Sequence, residues 1–463
     1  MHGRRSSQLC FAREVAQRLL AAGARECMLV GGFVRDHLLG VESKDVDVEV
    51  YGLGYDQIVG ILASDYSVDL VGRSFGVVKV NNLIDINIPR RESKSGAGHK
   101  GFAIHPDPTM TPYEACARRD FTVNAMGMKF DGAIFDPFDG RKDLRRGILR
   151  ATSPAFKDDP LRVLRGMQFA ARFGFDMDET TVVMCREMVD EFQTLSQERV
   201  WQEWHKWAVK GRRPSKGLLL LERTGWLEKF PALAELKRTQ QDPSWHPEGD
   251  VFVHTAHACD VAVEIAERES FDSQQRLVLL LAVLCHDIGK PLTTVRNDED
   301  RWISPDHAER GMVLVEAFLN AMRAPSWVVE MVVPLVAEHM AMLAVPKGDV
   351  PSKRVVRRLS ARLAPASIRL WAAVCEADAS GRPPRPRKNP VAGWLAVADE
   401  LALQEAQPQA ILLGRHLISL GYEPGPKMGD MLKAAFEAQL DGEFQDVVEG
   451  LQWVKDHYPR PGS

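Results

Sequence analysis

The chain has no Cys-x-x-Cys pair among its seven cysteines. Their odd number and irregular spacing support neither a disulfide framework nor a zinc ribbon, and a reducing cytoplasm fits that usage best. It also lacks a long apolar run: the longest, Leu277 to Cys285, is far short of the about 20 residues a membrane-spanning helix needs. The start, MHGRRSSQLCFAREVAQRLL, has no apolar secretory segment and reads as a polar lead into a helix over Phe11–Ala22. No Gly-x-x-x-x-Gly-Lys-[Ser/Thr] loop occurs, so P-loop chemistry is not indicated. A net charge of −4 argues against a uniformly basic nucleic-acid binder. No clear internal repeat or long low-complexity tract is found.

What is present is a chain of 463 residues, 45% hydrophobic and 26% charged, enough for about three domains with packed cores. Positive charge is clustered at Arg141–Arg150, Lys210–Lys216, Lys353–Arg362 and Arg382–Lys388. Each cluster alone fits a solvated helix face; together they point to a phosphate-binding track. Up to about residue 140, short β-branched runs alternate with glycine turns: ECMLVGG, DVDVEVYG, FGVVKV and IDINIP read as strands. From about 155 the pattern is helical. In PLRVLRGMQFAARFG, Leu161, Leu164, Phe169 and Phe173 fall near one face, with Gly174 as a cap. Trp201 and Trp204 read as core. The turn-rich WHPEGD (Trp245–Asp250) suggests a boundary, and the proline-basic stretch Arg382–Pro390 a linker.

The stretch MLVGGFVRDHLLGVESKDVDVEV (Met28–Val50) concentrates the chemistry. At strand period, Asp45, Asp47 and Glu49 share one face, and Val46, Val48 and Val50 take the other. Two carboxylates at i, i+2 can hold magnesium, an oxygen-seeking ion that partners phosphates. Gly31 and Gly32 end the preceding strand and open a helix near Phe33, so that backbone N–H groups and a helix N-terminus can meet phosphate. Arg35 is placed to clamp a triphosphate. Gly-Gly or Asp-x-Asp alone fits a turn or a solvated edge; joined in one strand-turn-helix-strand unit they favour a site.

GGFVRDHLLG…KDVDVEV resembles the signature of class II tRNA nucleotidyltransferases, the CCA-adding enzymes and their bacterial poly(A) polymerase relatives. RRDFTVNAM (Arg118–Met126), DPFDGRKDL (Asp136–Leu144), DDPLRVLR (Asp158–Arg165) and SQERVWQE (Ser196–Glu203) resemble the family's later motifs in order. The resemblance implies that Asp45 and Asp47 hold metal, with Asp85 as a third carboxylate near them. It implies that Gly32, Arg35, Arg119 and Arg165 contact nucleotide phosphates beside Gly31, and that Asp120 and Asn124 contact the sugar. Asp159 and Arg162 would present hydrogen-bond edges to cytosine or adenine, so that side chains replace a template. Asp158 stands where the family commonly has Glu, and Gln168 where relatives often have a further Arg, which bears on one triphosphate contact.

Between Phe252 and Asp378 the segments FVHTAHACD, LLLLAVLCHDIGKP, SPDHAERG, VAEHM and CEADASGR carry most of the histidines. A His-Asp pair at the end of an apolar helix needs partners, and a metal supplies one. The pattern resembles an HD-type phosphohydrolase domain. That resemblance implies ligands His254, His286, Asp287 and Asp378, with His307 and His339 available for a second metal; His257 fits an ordinary core or surface residue. GRHLISLGYEPGPKMGDML (Gly414–Leu432) resembles a helical C-terminal segment of bacterial members.

The expected fold is α+β: a small mixed β-sheet nucleotidyltransferase head (1–150), an all-α neck for nucleotide selection and RNA binding (151–240), an HD domain (245–385) and a helical tail (390–463). The expected activity is template-free addition of CCA to the tRNA 3′ end from CTP and ATP, with Mg2+ in the head and Ni, Co or Mn in the HD domain. A cytoplasmic location, no membrane and no protein partner go with it. The alternatives are a partial CC- or A-adding enzyme or poly(A) polymerase, a primary HD phosphohydrolase, and a non-catalytic tRNA-binding protein.

Overall fold

The computed structural model describes residues 2–43, 45–69, 76–94, 102–346 and 349–459. The chain divides into two compact units, Met1–Lys229 and Phe230–Ser463. In the first unit, α1 (His2–Ala21) leads into β1 (Glu26–Val30), α2 (Gly32–Leu38), β2 (Asp47–Tyr51), α3 (Tyr55–Leu62), β3 (Val68–Asp69), β4 (Val77–Val80) and β5 (Ile84–Asn87). A hairpin of β6 (Arg90–Lys94) and β7 (Phe102–Pro106), then α4 (Pro112–Ala117), β8 (Gly127–Met128), β9 (Ile134–Phe135) and α5 (Gly140–Arg146) complete the sheet region. The sheet order is β3-β4-β5-β2-β1-β8-β9. Only β2 and β5 run parallel within it, so the sheet is mixed. The parallel pairing sets Asp47 opposite Asp85.

Helices α6 (Leu161–Phe173), α7 (Glu179–Glu187), α8 (Gln197–Lys210) and α9 (Pro214–Arg223) follow, with a short parallel pair of β10 (Ile148–Leu149) and β11 (Asp176–Met177). Apolar residues of α6 recur at helical spacing, and α8 and α9 pack against it. Gly174, with φ 72°, closes α6 in the left-handed conformation that glycine adopts without strain. Trp204 and Trp207 are fully buried with rings edge-on at 5.3 Å. These two rings alone bury several hundred square ångströms of apolar surface, which makes α8 a core helix.

The second unit begins with α10 (Pro231–Lys237), α11 (Val251–Arg268), α12 (Ser273–Cys285) and α13 (Lys290–Thr293). A two-stranded hairpin of β12 (Val295–Arg296) and β13 (Trp302–Ile303) precedes α14 (His307–Ala321), α15 (Ser326–Glu338), α16 (Lys353–Leu363) and α17 (Ile368–Ser380). The tail contains α18 (Ala392–Glu400), α19 (Gly414–Ser419), α20 (Pro426–Asp441) and α21 (Val447–His457). Every residue of α12 from Leu277 to Cys285 is buried, which is why the sequence there is apolar all round. Ser326–Ala344 is long and apolar enough by composition to cross a membrane, but it packs on α12, α14 and α16 and ends beside a buried imidazole cluster.

Several local expectations are corrected. The leading helix starts at His2, well before Phe11. β2 starts at Asp47, so Asp45 lies in the loop before the strand, and its relation to Asp47 is not set by strand alternation. The β6–β7 hairpin was not expected. The basic cluster Lys353–Arg362 is consumed within its unit: Arg354 and Arg358 pair with Asp441, and Arg362 with Glu338. Arg382–Pro390 is not a free tether. Arg382 pairs with Asp378, Arg387 with Glu264, and the Lys388 N–H donates to Ser380 Oγ.

Candidate functional site

A cleft of about 650 Å3 opens in the first unit. Its walls carry Gly31, Gly32, Arg35, Asp45, Asp47, Arg119, Asp120, Asn124, Asp159, Arg162 and Arg165 together, drawn from over 130 residues of sequence. Asp85 is the exception. It sits in register with Asp47 but is outside the lining, with its carboxylate 3.7 Å from Lys79 Nζ.

Asp45 is exposed and Asp47 half-buried at the strand start. Burial first, then the charges of Asp85 and Asp45, push the Asp47 carboxyl above its ordinary range, while Arg119 opposes the rise. Carboxylates brought together at this density ask for a cation. Gly31 has φ 67°, a conformation that favours glycine, and the Arg119 guanidinium approaches it so closely that an added Cβ would stand 2.9 Å from Nη1 and displace it. Glu49 lies farther along β2, buried. It accepts from the Tyr51 hydroxyl at 2.7 Å and from Arg119 Nη2 at 3.4 Å, which aims that guanidinium into the cleft.

The opposite wall is a network. Arg35 donates to Asp36 Oδ1 (2.8 and 2.6 Å) and to Asn124 Oδ1 (2.6 Å), and stacks on the Phe173 ring at 4.6 Å. Asp120 accepts from Asn124 Nδ2 at 3.0 Å and from Arg165 Nε at 2.8 Å. Burial works against the Asp120 charge, but Arg165 and these bonds hold its pKa down at about 2. Asp159 Oδ2 faces Arg199 Nη2 at 2.7 Å. Arg162 donates to the Ala155 and Arg118 carbonyls, both at 2.7 Å, a clamp that fixes the plane of its guanidinium. Gln168, Arg172, Lys206 and Lys210 also line the cleft. The sequence reading had Arg199 inside a quoted motif and Lys210 inside a basic cluster, but assigned neither to the site; Lys206 and Arg172 were missed.

The second unit holds a separate centre built from helix ends. His254 lies in the first turn of α11, His286 caps α12 and Asp287 follows it; His307 opens α14, His339 caps α15, and Asp378 is in the last turn of α17. All six are buried. His254 Nε2 is 3.1 Å from Asp378 Oδ1, His286 Nε2 is 3.2 Å from Asp287 Oδ2, and His307 Nε2 is 3.3 Å from Asp287 Oδ1. The Nδ1 atoms point the other way: His286, His307 and His339 each meet a backbone carbonyl at 2.7 Å, and His254 meets Glu248 Oε1 at 2.8 Å. For His286, His307 and His339 the carbonyl requires a proton on Nδ1 and turns Nε2 inward, whereas His254 meets a carboxylate at each nitrogen.

Two observations show that this centre fits a divalent metal. His339, kept neutral with Nδ1 donating to the Val336 carbonyl, turns its Nε2 lone pair inward, 3.2 Å from His307 Nε2. His286 Nε2 completes no hydrogen bond of good geometry despite full burial, although Asp287 Oδ2, itself paired with Lys290 at 2.8 Å, lies 3.2 Å away. Burial, with His286 and His307 alongside, pushes the His339 pKa down to about 3, which keeps it a neutral ligand. Burial disfavours the Asp287 charge, but His286 and Lys290 hold its pKa well below the usual range. Beside the centre is a cavity of about 440 Å3 lined by Asp287, His307, Asp378, Lys290, Arg382, Trp245 and Trp302. Glu248 and Arg382 were missed as site residues because their stretches read as a boundary and a linker, and Lys290 stood inside the quoted segment ending in HDIGKP without a role.

Family models match in the same order: the poly A polymerase head domain over residues 27–150, the probable RNA and SrmB-binding site of polymerase A over 174–237, and the HD domain over 251–402. The multifunctional CCA protein of Acinetobacter baylyi is 33% identical over 363 residues, covering 76% of this chain and 84% of that protein. The chain belongs to the multifunctional CCA protein family. The Methylobacillus flagellatus member is 36% identical, over 76% of this chain and 83% of its own. Among solved structures, the Bacillus stearothermophilus CCA-adding enzyme in complex with CTP aligns with a TM-score of 0.64 at 21% identity, covering 96% of both chains. The Thermotoga maritima CCA-adding enzyme complexed with tRNA aligns at 0.58 and 19%, covering 98% of both. At such identities these two alignments speak to the fold, a nucleotidyltransferase head with a mixed sheet and a helical body. A head of this family together with an HD domain implies dependence on divalent metal.

Proposed function

We propose that this protein adds CCA to the 3′ end of tRNA from CTP and ATP without a nucleic-acid template, and that its histidine–aspartate centre hydrolyses phosphoesters. The observation that carries the first part is the single cleft that unites the Asp45–Asp47 pair, the Gly31–Arg119 approach and the Asp159–Arg162 pair. Membership in the multifunctional CCA family supports it.

In this reading Asp45 and Asp47 hold Mg2+, with Asp85 adding negative charge from the neighbouring strand; the ion, when bound, supplies Lewis-acid stabilisation at the α-phosphate and favours an ionised 3′-hydroxyl. The backbone at Gly31 and Gly32, the start of α2, Arg35, Arg119 and Arg165 take up triphosphate charge. Asp120 and Asn124 hold the ribose. Asp159 accepts from the exocyclic amine that cytosine and adenine share. Its Oδ1 receives the Leu161 N–H and its Oδ2 Arg199, which leaves lone pairs for a base. Arg162, fixed by its two carbonyls, faces ring acceptors. Uracil and guanine would leave these groups unpaired, a cost larger than a lost contact. Pyrophosphate leaves as the new phosphodiester forms. Arg172, Arg199, Lys206 and Lys210 give the cleft a basic wall for the tRNA end.

In the second unit, His254, His286, Asp287 and Asp378 hold a transition metal such as Ni, Co or Mn, with His307 and His339 available to a second. Lys290 and Arg382 neutralise the phosphoester beside it. The proposed divisions are 1–150, 151–240, 245–385 and 390–463, in a cytoplasmic protein with tRNA as its macromolecular partner. The deciding experiment offers CTP and ATP separately to tRNA transcripts ending before C, after C and after CC. Incorporation at all three steps establishes CCA addition. Activity confined to one nucleotide or continuing into an A-tract establishes a partial enzyme or a poly(A) polymerase instead.

A further inference from the structure

Glu248 stands just before α11 with its side chain fully buried, an expensive place for a carboxylate. Its Oε1 is 2.8 Å from His246 Nδ1 and 2.8 Å from His254 Nδ1. The two rings meet edge-on at 4.9 Å. Among the four inward-facing imidazoles, His254 is the one whose Nδ1 is held by an ionisable group, whereas the other three meet backbone carbonyls. A carbonyl fixes a tautomer; a carboxylate also raises the electron density of the ring and stabilises positive charge placed on it.

The segment carrying Glu248 is tied to the same centre at its other end. Lys290 Nζ reaches both Asp287 Oδ2 and Gln241 Oε1 at 2.8 Å, and Gln241 Nε2 donates to the Gly249 carbonyl at 3.3 Å. A continuous chain of polar contacts thus runs Asp287–Lys290–Gln241–Gly249, and Glu248–His254–Asp378 closes it on the far side. Trp245, within this strap, lines the adjoining cavity.

We propose that Glu248 is a positioning residue of the histidine–aspartate centre: it holds His254 as the Nδ1–H tautomer with Nε2 directed at the metal, and His246 braces the carboxylate at the same Oε1. The assignment rests on the reading of the cluster as a metal centre. It explains why a charged group is buried in a stretch that the sequence presents as a mere turn.

The test uses the full-length chain, stripped by chelator and titrated with Mn2+ or Ni2+ by calorimetry, with Trp fluorescence recorded in parallel. Glu248→Gln preserves shape and one acceptor but removes the charge; Glu248→Ala removes both. The expected result is a loss of metal affinity of about 10–100-fold in Glu248→Ala and a smaller loss in Glu248→Gln. His246→Ala should show a loss no larger than Glu248→Gln. Thermal unfolding of the metal-free proteins and nucleotide addition on the same preparations report integrity. If Glu248→Ala does not fold, Glu248→Gln decides alone. Wild-type affinity in a folded Glu248→Gln variant, and in Glu248→Ala where it folds, overturns this assignment while leaving the metal centre in place. Absence of metal binding by the wild type overturns both.

Discussion

At the scale of single residues, the head cleft depends on charges that are costly to assemble and on a few atoms that must be absent. Asp45→Ala and Asp47→Ala are each expected to lower nucleotide addition by about 1,000-fold or more, because the several kcal/mol of metal-derived transition-state stabilisation go with them. Purified variants with native circular dichroism and substantial addition would remove these residues from the role. Asp159→Ala is expected to cut discrimination against UTP and GTP by about 10–100-fold, the 1–3 kcal/mol attached to one well-formed base contact, as read by kcat/KM for the four nucleotides. Asp120 supplies a pH signature. Its folded-state pKa of about 2 lies below the ordinary 3.8, so its contribution to stability is present above pH 4 and is lost as pH falls toward 2. That contribution is about 2 kcal/mol, and Asp120→Asn should flatten the acid limb of the stability–pH profile measured by denaturant unfolding.

At the scale of elements, the second centre is assembled from helix ends, so its accuracy depends on where helices start and stop. Asp250 caps α11 by accepting from the Val253 N–H at 2.9 Å, only four residues before His254. Asp250→Ala is expected to cost about 1 kcal/mol of stability, readable as a lower urea midpoint, and to weaken metal binding by letting the first turn fray. An unchanged midpoint with unchanged metal affinity would show that α11 is held by packing alone. The element level is also where sequence reasoning succeeded unevenly. β1, β2, β4 and β5 follow from their β-branched runs, and α6 from its periodicity with Gly174 at the end. The β6–β7 hairpin did not announce itself, because RRESK lacks the apolar alternation of a core strand. Asp45 was read as strand because it continues the alternation of Asp47 and Glu49, yet ladder pairing begins only at Asp47, opposite Asp85 of β5, and at Val48 with β1. Pairing partners, not pattern, set that boundary.

At the scale of the whole molecule, the two centres belong to different compact units, and each is lined entirely by residues of its own unit. His286→Ala combined with Asp287→Ala is therefore expected to abolish hydrolysis of 2′,3′-cyclic and 2′-phosphate nucleotides with any added metal, and to leave nucleotide addition within about twofold of wild type, since a twofold change is under 0.5 kcal/mol of barrier. Parallel assays on one preparation check this, and loss of both activities would mean that the units are structurally coupled.

Pattern and composition by themselves determined a strand-and-glycine region with clustered acids followed by helices and a histidine-rich region, and the resemblance of the motifs to class II tRNA nucleotidyltransferases made the first of these a nucleotidyltransferase head. Motifs whose residues must meet a phosphate, a base or a metal leave a local signature: Gly-Gly before a helix, Asp-x-Asp at a strand, His-Asp at the end of an apolar run. What only the tertiary structure decided is which charges are used up and which converge. Charge alone does not tell Arg358, paired with Asp441, from Arg165, which pairs with Asp120 in the wall of the cleft. Nothing local shows that Glu248, in a turn, meets two imidazoles, or that Arg382, in a proline-rich stretch, faces Asp378. The partner of a charged side chain is fixed by contacts that can lie anywhere in the sequence. Pattern therefore reveals groups that act together along a segment, and only the fold reveals those that meet across it.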